Sequence, residues 1–100
     1  SIWYVMVMMA HYYFYVLYTA DGYFYGGFTN NLAKRLATHE AGKGAKFTRV
    51  KSRHPLQMIH SESFDTKHEA LHAEAMFKQL TRQQKEAYLV LKGVSEDIWH

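Results

Sequence analysis

The stretch YYFYVLYTADGYFYGGFT, residues 12–29, restricts the fold more than any other part of the chain. Tyr12 to Tyr18 and Tyr23 to Thr29 are aromatic and β-branched, the residue types that favour strands. Between them Thr19-Ala20-Asp21-Gly22 supplies turn chemistry, since Asp tolerates left-handed backbone and Gly adopts positive φ without a Cβ penalty. Strands joined by so short a turn run antiparallel. A lone hairpin is at best marginally stable in water, so the remaining chain must cover it.

The downstream residues supply that cover. Asn30 or Asn31 caps a short helix to about His39, with Leu32 and Leu36 on an apolar side and Arg35 and His39 on a different face. Ala41 to His54 reads as a glycine-containing basic loop ended by Pro55, and Leu56–His60 and Phe64 bracket a third strand. Thr66 with Glu69, and Thr81 with Gln84, form capping boxes that open helices to about Leu80 and Lys92. The expected fold is α+β: a small three-stranded antiparallel sheet flanked by helices, in the order β-β-α-β-α-α. Residues 1–100 form one domain with its core over about 12–91.

Composition narrows the function. The chain has no cysteine, which excludes disulfides, thiol catalysis and thiolate zinc sites and fits a reducing cytoplasm. From Ser1 to Ala20 nothing is charged except, when protonated, His11. Neither the basic start nor the cleavage site of a signal peptide is clear, and Tyr12, Tyr13, Tyr15 and Tyr18 would put phenols at mid-bilayer. The segment therefore reads as buried strand, with the residues before about Met9 a strand extension or extraneous, and no membrane partner is expected. Residues 34–53 hold seven basic side chains against Glu40 alone, a net +6, while the rest of the chain sums to −3. Such concentration favours a polyanion partner. Lys34, Lys43, Lys46, Arg49, Lys51 and Arg53 would track phosphates, and Phe47 among them offers a ring for a base.

Three groups could do chemistry. Glu74 lies between apolar neighbours on its helix, either as an edge residue paired with Lys78 four positions on, or as a metal or proton site. Arg35 and His39 form either a solvated helix face or a phosphate clamp, guanidinium being planar and bidentate toward phosphate. Most of the eight tyrosines pack, and one or two can line a cleft. Gly26 and Gly27 weaken the second strand, as glycines do where another backbone or a ligand comes close.

Together these residues form a pattern: Tyr13-Phe14-Tyr15, nine residues, Tyr25-Gly26-Gly27, then Arg35-Leu36 and His39, Gly42-Lys43-Gly44-Ala45-Lys46, and Glu74 far downstream. It resembles the GIY-YIG nuclease domain, and in particular the small stand-alone bacterial proteins of that superfamily. The resemblance implies a metal-dependent endonuclease acting on DNA, structured or damaged DNA included, with RNA left open. It implies that Tyr15 and Tyr25 are the signature tyrosines, one of them assisting the attacking water. Arg35 would hold the scissile phosphate, His39 would assist positioning or proton transfer, and Glu74 would bind one Mg²⁺ or Mn²⁺. Gly26 and Gly27 would let the backbone approach that site. Two departures stand out: the first motif reads Tyr-Phe-Tyr in place of Gly-Ile-Tyr, and Phe47 replaces an expected tyrosine. With no appended DNA-binding module, target choice would be weak or come from another protein. The alternatives are a binding module without catalysis, and a protein-interaction domain using Trp3 and Trp99.

Overall fold

The computed structural model describes residues 1–2 and 11–100. Strands β1 (Tyr12–Tyr18), β2 (Phe24–Thr29) and β3 (Gln57–Phe64) form one antiparallel sheet in the order β2-β1-β3. Helices α1 (Leu32–Glu40), α2 (Lys67–Gln79) and α3 (Arg82–Leu91) complete the expected β-β-α-β-α-α order. Short 3₁₀ turns at Lys46–Arg49, Lys51–Arg53 and Glu96–Ile98 organise what the sequence left as loop. The part of the expected N-terminal strand before residue 11, and Trp3, lie outside the described residues. No helix among the described residues is long and apolar enough to cross a membrane.

The hairpin closes as its turn residues require. The Gly22 amide donates to the Thr19 carbonyl at 3.0 Å with φ at 88°, and the Thr19 amide reaches the Tyr23 carbonyl at 2.9 Å. The pleat then sorts β1 by parity. Phe14 and Val16 join Phe24, Phe77 and Leu89 in a core that carries α2 and α3. Tyr15 and Leu17 join Leu56, Leu32 and Leu36 in a second core beneath α1. Phe77, whose ring lies 5.3 Å from that of Phe14, anchors α2. Burying such a ring contributes roughly 1.5–3 kcal/mol. Trp99 stands perpendicular to Phe24 at 5.2 Å and packs on the first core, so it is not the exposed apolar docking residue that one reading of the sequence required.

Two local expectations need correcting. Arg35 and His39 do not lie on a face apart from Leu32 and Leu36. Positions 32, 35, 36 and 39 are i, i+3, i+4 and i+7, one helical stripe, and His39 is fully buried with that stripe against the sheet. The capping box at Thr66 is only half formed. Its hydroxyl accepts the Glu69 amide, but the Glu69 carboxylate takes the Thr66 hydroxyl proton and not the backbone N–H. At Thr81 and Gln84 both halves are present.

Candidate functional site

The register of β1 against β2 puts Tyr15 opposite Gly27 and Leu17 opposite Tyr25, all facing α1. A Cβ at Gly27 would overlap the Tyr15 phenol, so only glycine leaves that ring its seat. Gly26, expected beside it at the site, faces the other way: a Cβ there would stand 3.0 Å from the Phe77 ring and 3.4 Å from that of Phe14. Its approach serves the core, because adjacent strand residues face opposite sides.

Tyr15 and His39 are both at 0% exposure. The polar atoms they bury are connected in series. Arg35 Nε donates to the Tyr15 hydroxyl oxygen at 3.2 Å, and that oxygen lies 2.7 Å from Nε2 of His39. On the far side of the ring Nδ1 is 2.7 Å from Thr48 Oγ1, which donates to the Ala45 carbonyl at 3.0 Å. The last bond orients the rest. The Thr48 proton goes to Ala45, so Thr48 accepts Nδ1–H, and Nε2 is left to accept the Tyr15 proton. Burial, aided by the charges of Arg35 and His54, lowers the His39 pKa to about 4, so the ring is neutral at pH 7. Burial pushes the Tyr15 phenol above its usual value, opposed by Arg35, with smaller rises from the charges of Tyr25 and Glu74.

Thr48 and Gly44 were not among the site residues expected from the sequence, although Gly44 lies in the Gly42-to-Lys46 segment of the family pattern. Gly44 is buried against the His39 ring, which a Cβ would overlap. That segment, with two glycines within three residues, was the hint of so close a contact; Thr48 was not singled out.

Tyr25 is half-buried, its ring 5.4 Å from that of His39, and no described residue hydrogen-bonds to its hydroxyl. Glu74 belongs to α2, on the opposite face of the sheet, yet its charge is felt at Tyr15. The two faces meet around edge strand β2: Lys78 Nζ lies 3.5 Å from the Glu74 carboxylate and 5.9 Å from the centre of the Tyr25 ring. Both sequence readings of Glu74 thus remain compatible with its position, since it is paired with Lys78 and also near the tyrosines. Its side chain is 19% exposed. Among the described residues no three His, Cys, Asp or Glu side chains converge as a metal cage. A donor set of one carboxylate open to water fits a hard ion that keeps most of its hydration shell, such as Mg²⁺.

The basic segment divides into two parts. Lys34, Lys43, Lys46, Arg49 and Lys51 are exposed, and none forms an ion pair among the described residues. Arg49 is anchored through Nε to the Gly44 carbonyl at 3.0 Å. Phe47 and Arg53, expected to meet nucleic acid, are half-buried and packed on each other. The Phe47 ring stacks on Tyr25 at 6.0 Å and 13°, and the Arg53 guanidinium lies 3.9 Å from its centre while pairing with Asp21 at 2.8 Å. With Tyr25 and Arg53 on its ring, Phe47 is half-buried and supports the loop.

Residues 11–87 match the model of the GIY-YIG catalytic domain. The chain is 59% identical over 83 residues to a UPF0213 protein of Limosilactobacillus reuteri, covering 83% of this chain and 86% of the relative. It is 48% identical over 87 residues to the UPF0213 protein YazA of Bacillus subtilis, covering 87% and 86%. Among solved structures it is similar to a small protein of E. faecalis, determined by solution NMR, with a TM-score of 0.59 at 53% identity and coverage of 83% and 86%. A UPF0213 protein from Bacillus halodurans, also solved by NMR, gives a TM-score of 0.56 at 36% identity, again covering 83% and 86%.

Proposed function

The chain belongs to the GIY-YIG catalytic domain family, a nuclease family, and on that premise we propose that it is a metal-dependent endonuclease hydrolysing phosphodiester bonds in DNA. The observation that carries this reading is the clamp on Tyr15, whose buried phenol sits between the Arg35 guanidinium and a neutral His39, within range of the Glu74 charge.

The residues divide the work by their exposure. Arg35 is fixed through one nitrogen by Tyr15, which leaves the rest of its guanidinium to grip the scissile phosphate and offset charge growing on its oxygens. Tyr25 is the phenol within reach of water and orients the nucleophile toward phosphorus. Tyr15 and His39, closed to solvent, are positioning residues: they hold Arg35 in place, with neutral His39 accepting the Tyr15 hydrogen bond. Glu74 is the residue that would hold one Mg²⁺ or Mn²⁺, an ion that supplies Lewis-acid stabilisation to the phosphoryl and leaving oxygens. Lys34, Lys43, Lys46, Arg49 and Lys51 would hold the flanking backbone, a contact without base readout. Specificity then rests on DNA structure or on another protein, and a cysteine-free chain suits work in the cytoplasm.

The test is a cleavage assay on labelled single-stranded, duplex, flapped and four-way-junction DNA with Mg²⁺, Mn²⁺ or EDTA. Metal-dependent products that fall at least ~100-fold in Glu74→Ala, with binding kept, are expected. Undiminished cleavage in that variant overturns the metal assignment. Salt-sensitive binding without products in any metal makes the chain a nucleic-acid-binding module instead.

A further inference from the structure

A cleft of about 370 Å³ opens beside Arg35, lined by Tyr12, Phe28, Thr29, Asn30, Arg35 and Lys67. Its size falls within the roughly 300–1,000 Å³ of small-molecule sites. Its chemistry is that of a nucleotide seat. Two cations from different elements, Arg35 of α1 and Lys67 of α2, meet in it, and no described carboxylate pairs with either. Tyr12 and Phe28, diagonal neighbours at the open end of the hairpin, stack at 6.2 Å and 12° and form a half-buried aromatic wall. Lys67 Nζ sits 5.8 Å from the centre of the Phe28 ring, so the cation and the aromatic surface share one side of the cleft. The Asn30 side chain makes no hydrogen bond to a described residue and offers both a donor and an acceptor.

From this juxtaposition we infer that the cleft takes the nucleotide next to the cleaved linkage, with Lys67 on its phosphate and its base against Tyr12 and Phe28. The inference deepens the nuclease reading and rests on it, because Arg35 is the wall common to the cleft and the Tyr15 clamp. A base stacked on an aromatic side chain and a cation on the adjoining phosphate are the two elements of sequence-tolerant single-strand binding. The consequence is that the substrate needs an unpaired nucleotide beside the cut, since a base held in a duplex stack cannot also lie on Tyr12 and Phe28. Fully paired DNA would be a poor substrate, and flapped or gapped DNA a good one.

The experiment is an amide NMR titration of the whole chain with 5′-phosphorylated dithymidylate, and separately with inorganic phosphate, on wild type and Lys67→Gln. No metal or turnover is needed, so its failure is distinct from failure of the nuclease reading. Dithymidylate should shift the amides of Tyr12, Phe28, Thr29, Asn30 and Lys67, and Lys67→Gln should weaken it about tenfold, the effect of losing one charge-assisted contact. Inorganic phosphate should bind at least tenfold more weakly than the dinucleotide, as loss of base stacking requires. Shifts confined to residues 43–51, equal affinity for phosphate alone, or unchanged affinity in Lys67→Gln would each overturn the assignment.

Discussion

Tyr15 and His39 share one proton donor across 2.7 Å, the phenol giving and the imidazole receiving, with neither ring open to solvent. Their bond transmits position, because the same phenol oxygen accepts from Arg35. Tyr15→Phe removes both contacts and keeps the ring. It should lower stability by roughly 1–3 kcal/mol for the buried His39 Nε2 acceptor left unpaired, and cut cleavage by about tenfold or more through a loosened Arg35. Urea midpoints and single-turnover rates check the two parts, and full activity in the variant would remove Tyr15 from the mechanism.

Thr48 sets which nitrogen of His39 carries the proton. Thr48→Val keeps the shape and removes the acceptor for Nδ1–H, so the ring loses its enforced tautomer. A loss of about 1–3 kcal/mol is expected, with kcat reduced more than KM is raised. Thr48→Ser should restore most of both. Ring ¹⁵N shifts give an independent readout: wild type should report Nδ1–H, and Thr48→Val a mixture.

Two glycines seat the clamp, and each should resist the smallest substitution. Gly27→Ala drives a methyl into the Tyr15 phenol, and Gly44→Ala drives one into the His39 ring. Each should cost about 1–3 kcal/mol or more, the price of overpacking, and should break the Tyr15–His39 bond. Gly42→Ala is the control for the loop. It has nothing within 4 Å, and its φ of 73° limits its cost to about 1 kcal/mol. Thermal unfolding of the three variants orders them.

Acid should loosen the same cluster. In the folded state His39 titrates at about 4, below the 6.5 of an ordinary histidine. The unfolded chain therefore takes the proton first as pH falls. The contribution is complete above about 6.5 and declines as pH drops toward 4, by at most ~3 kcal/mol. The wild-type stability minus that of His39→Gln, measured in urea at several pH values, isolates it from the other histidines. A difference that stays constant between pH 7 and 4 would mean that the ring is not held neutral.

The fold was legible because its signals are local. The Asp21-Gly22 turn, the parity of β1 and the caps at Asn31, Thr66 and Thr81 each lie within a few residues of the element that they define. The family pattern placed Tyr15, Tyr25, Arg35 and His39 on one face, and the structure brings those four together. What the sequence withheld depends on distant contacts. Arg35 and His39 looked like a polar helix face until Tyr15 and Thr48 supplied partners that let a histidine be buried. Phe47 looked free on both faces because nothing nearby in sequence shows that Tyr25 and Arg53 pack on its ring. Gly26 and Gly27 looked alike, and only the pleat separates them.

The segment after α1 is fastened to the clamp twice. Thr48 holds the His39 ring, and Phe47 lies on Tyr25. The same short segment presents Lys43, Lys46, Arg49 and Lys51 to solvent. Linkage makes such an arrangement reciprocal: any polyanion that binds those cations better when the clamp is closed must favour closure by the same factor. Occupancy of the outer surface and order at the inner phenol are then two readings of one equilibrium. A variant that disorders Tyr15 should weaken the grip of lysines that it never touches.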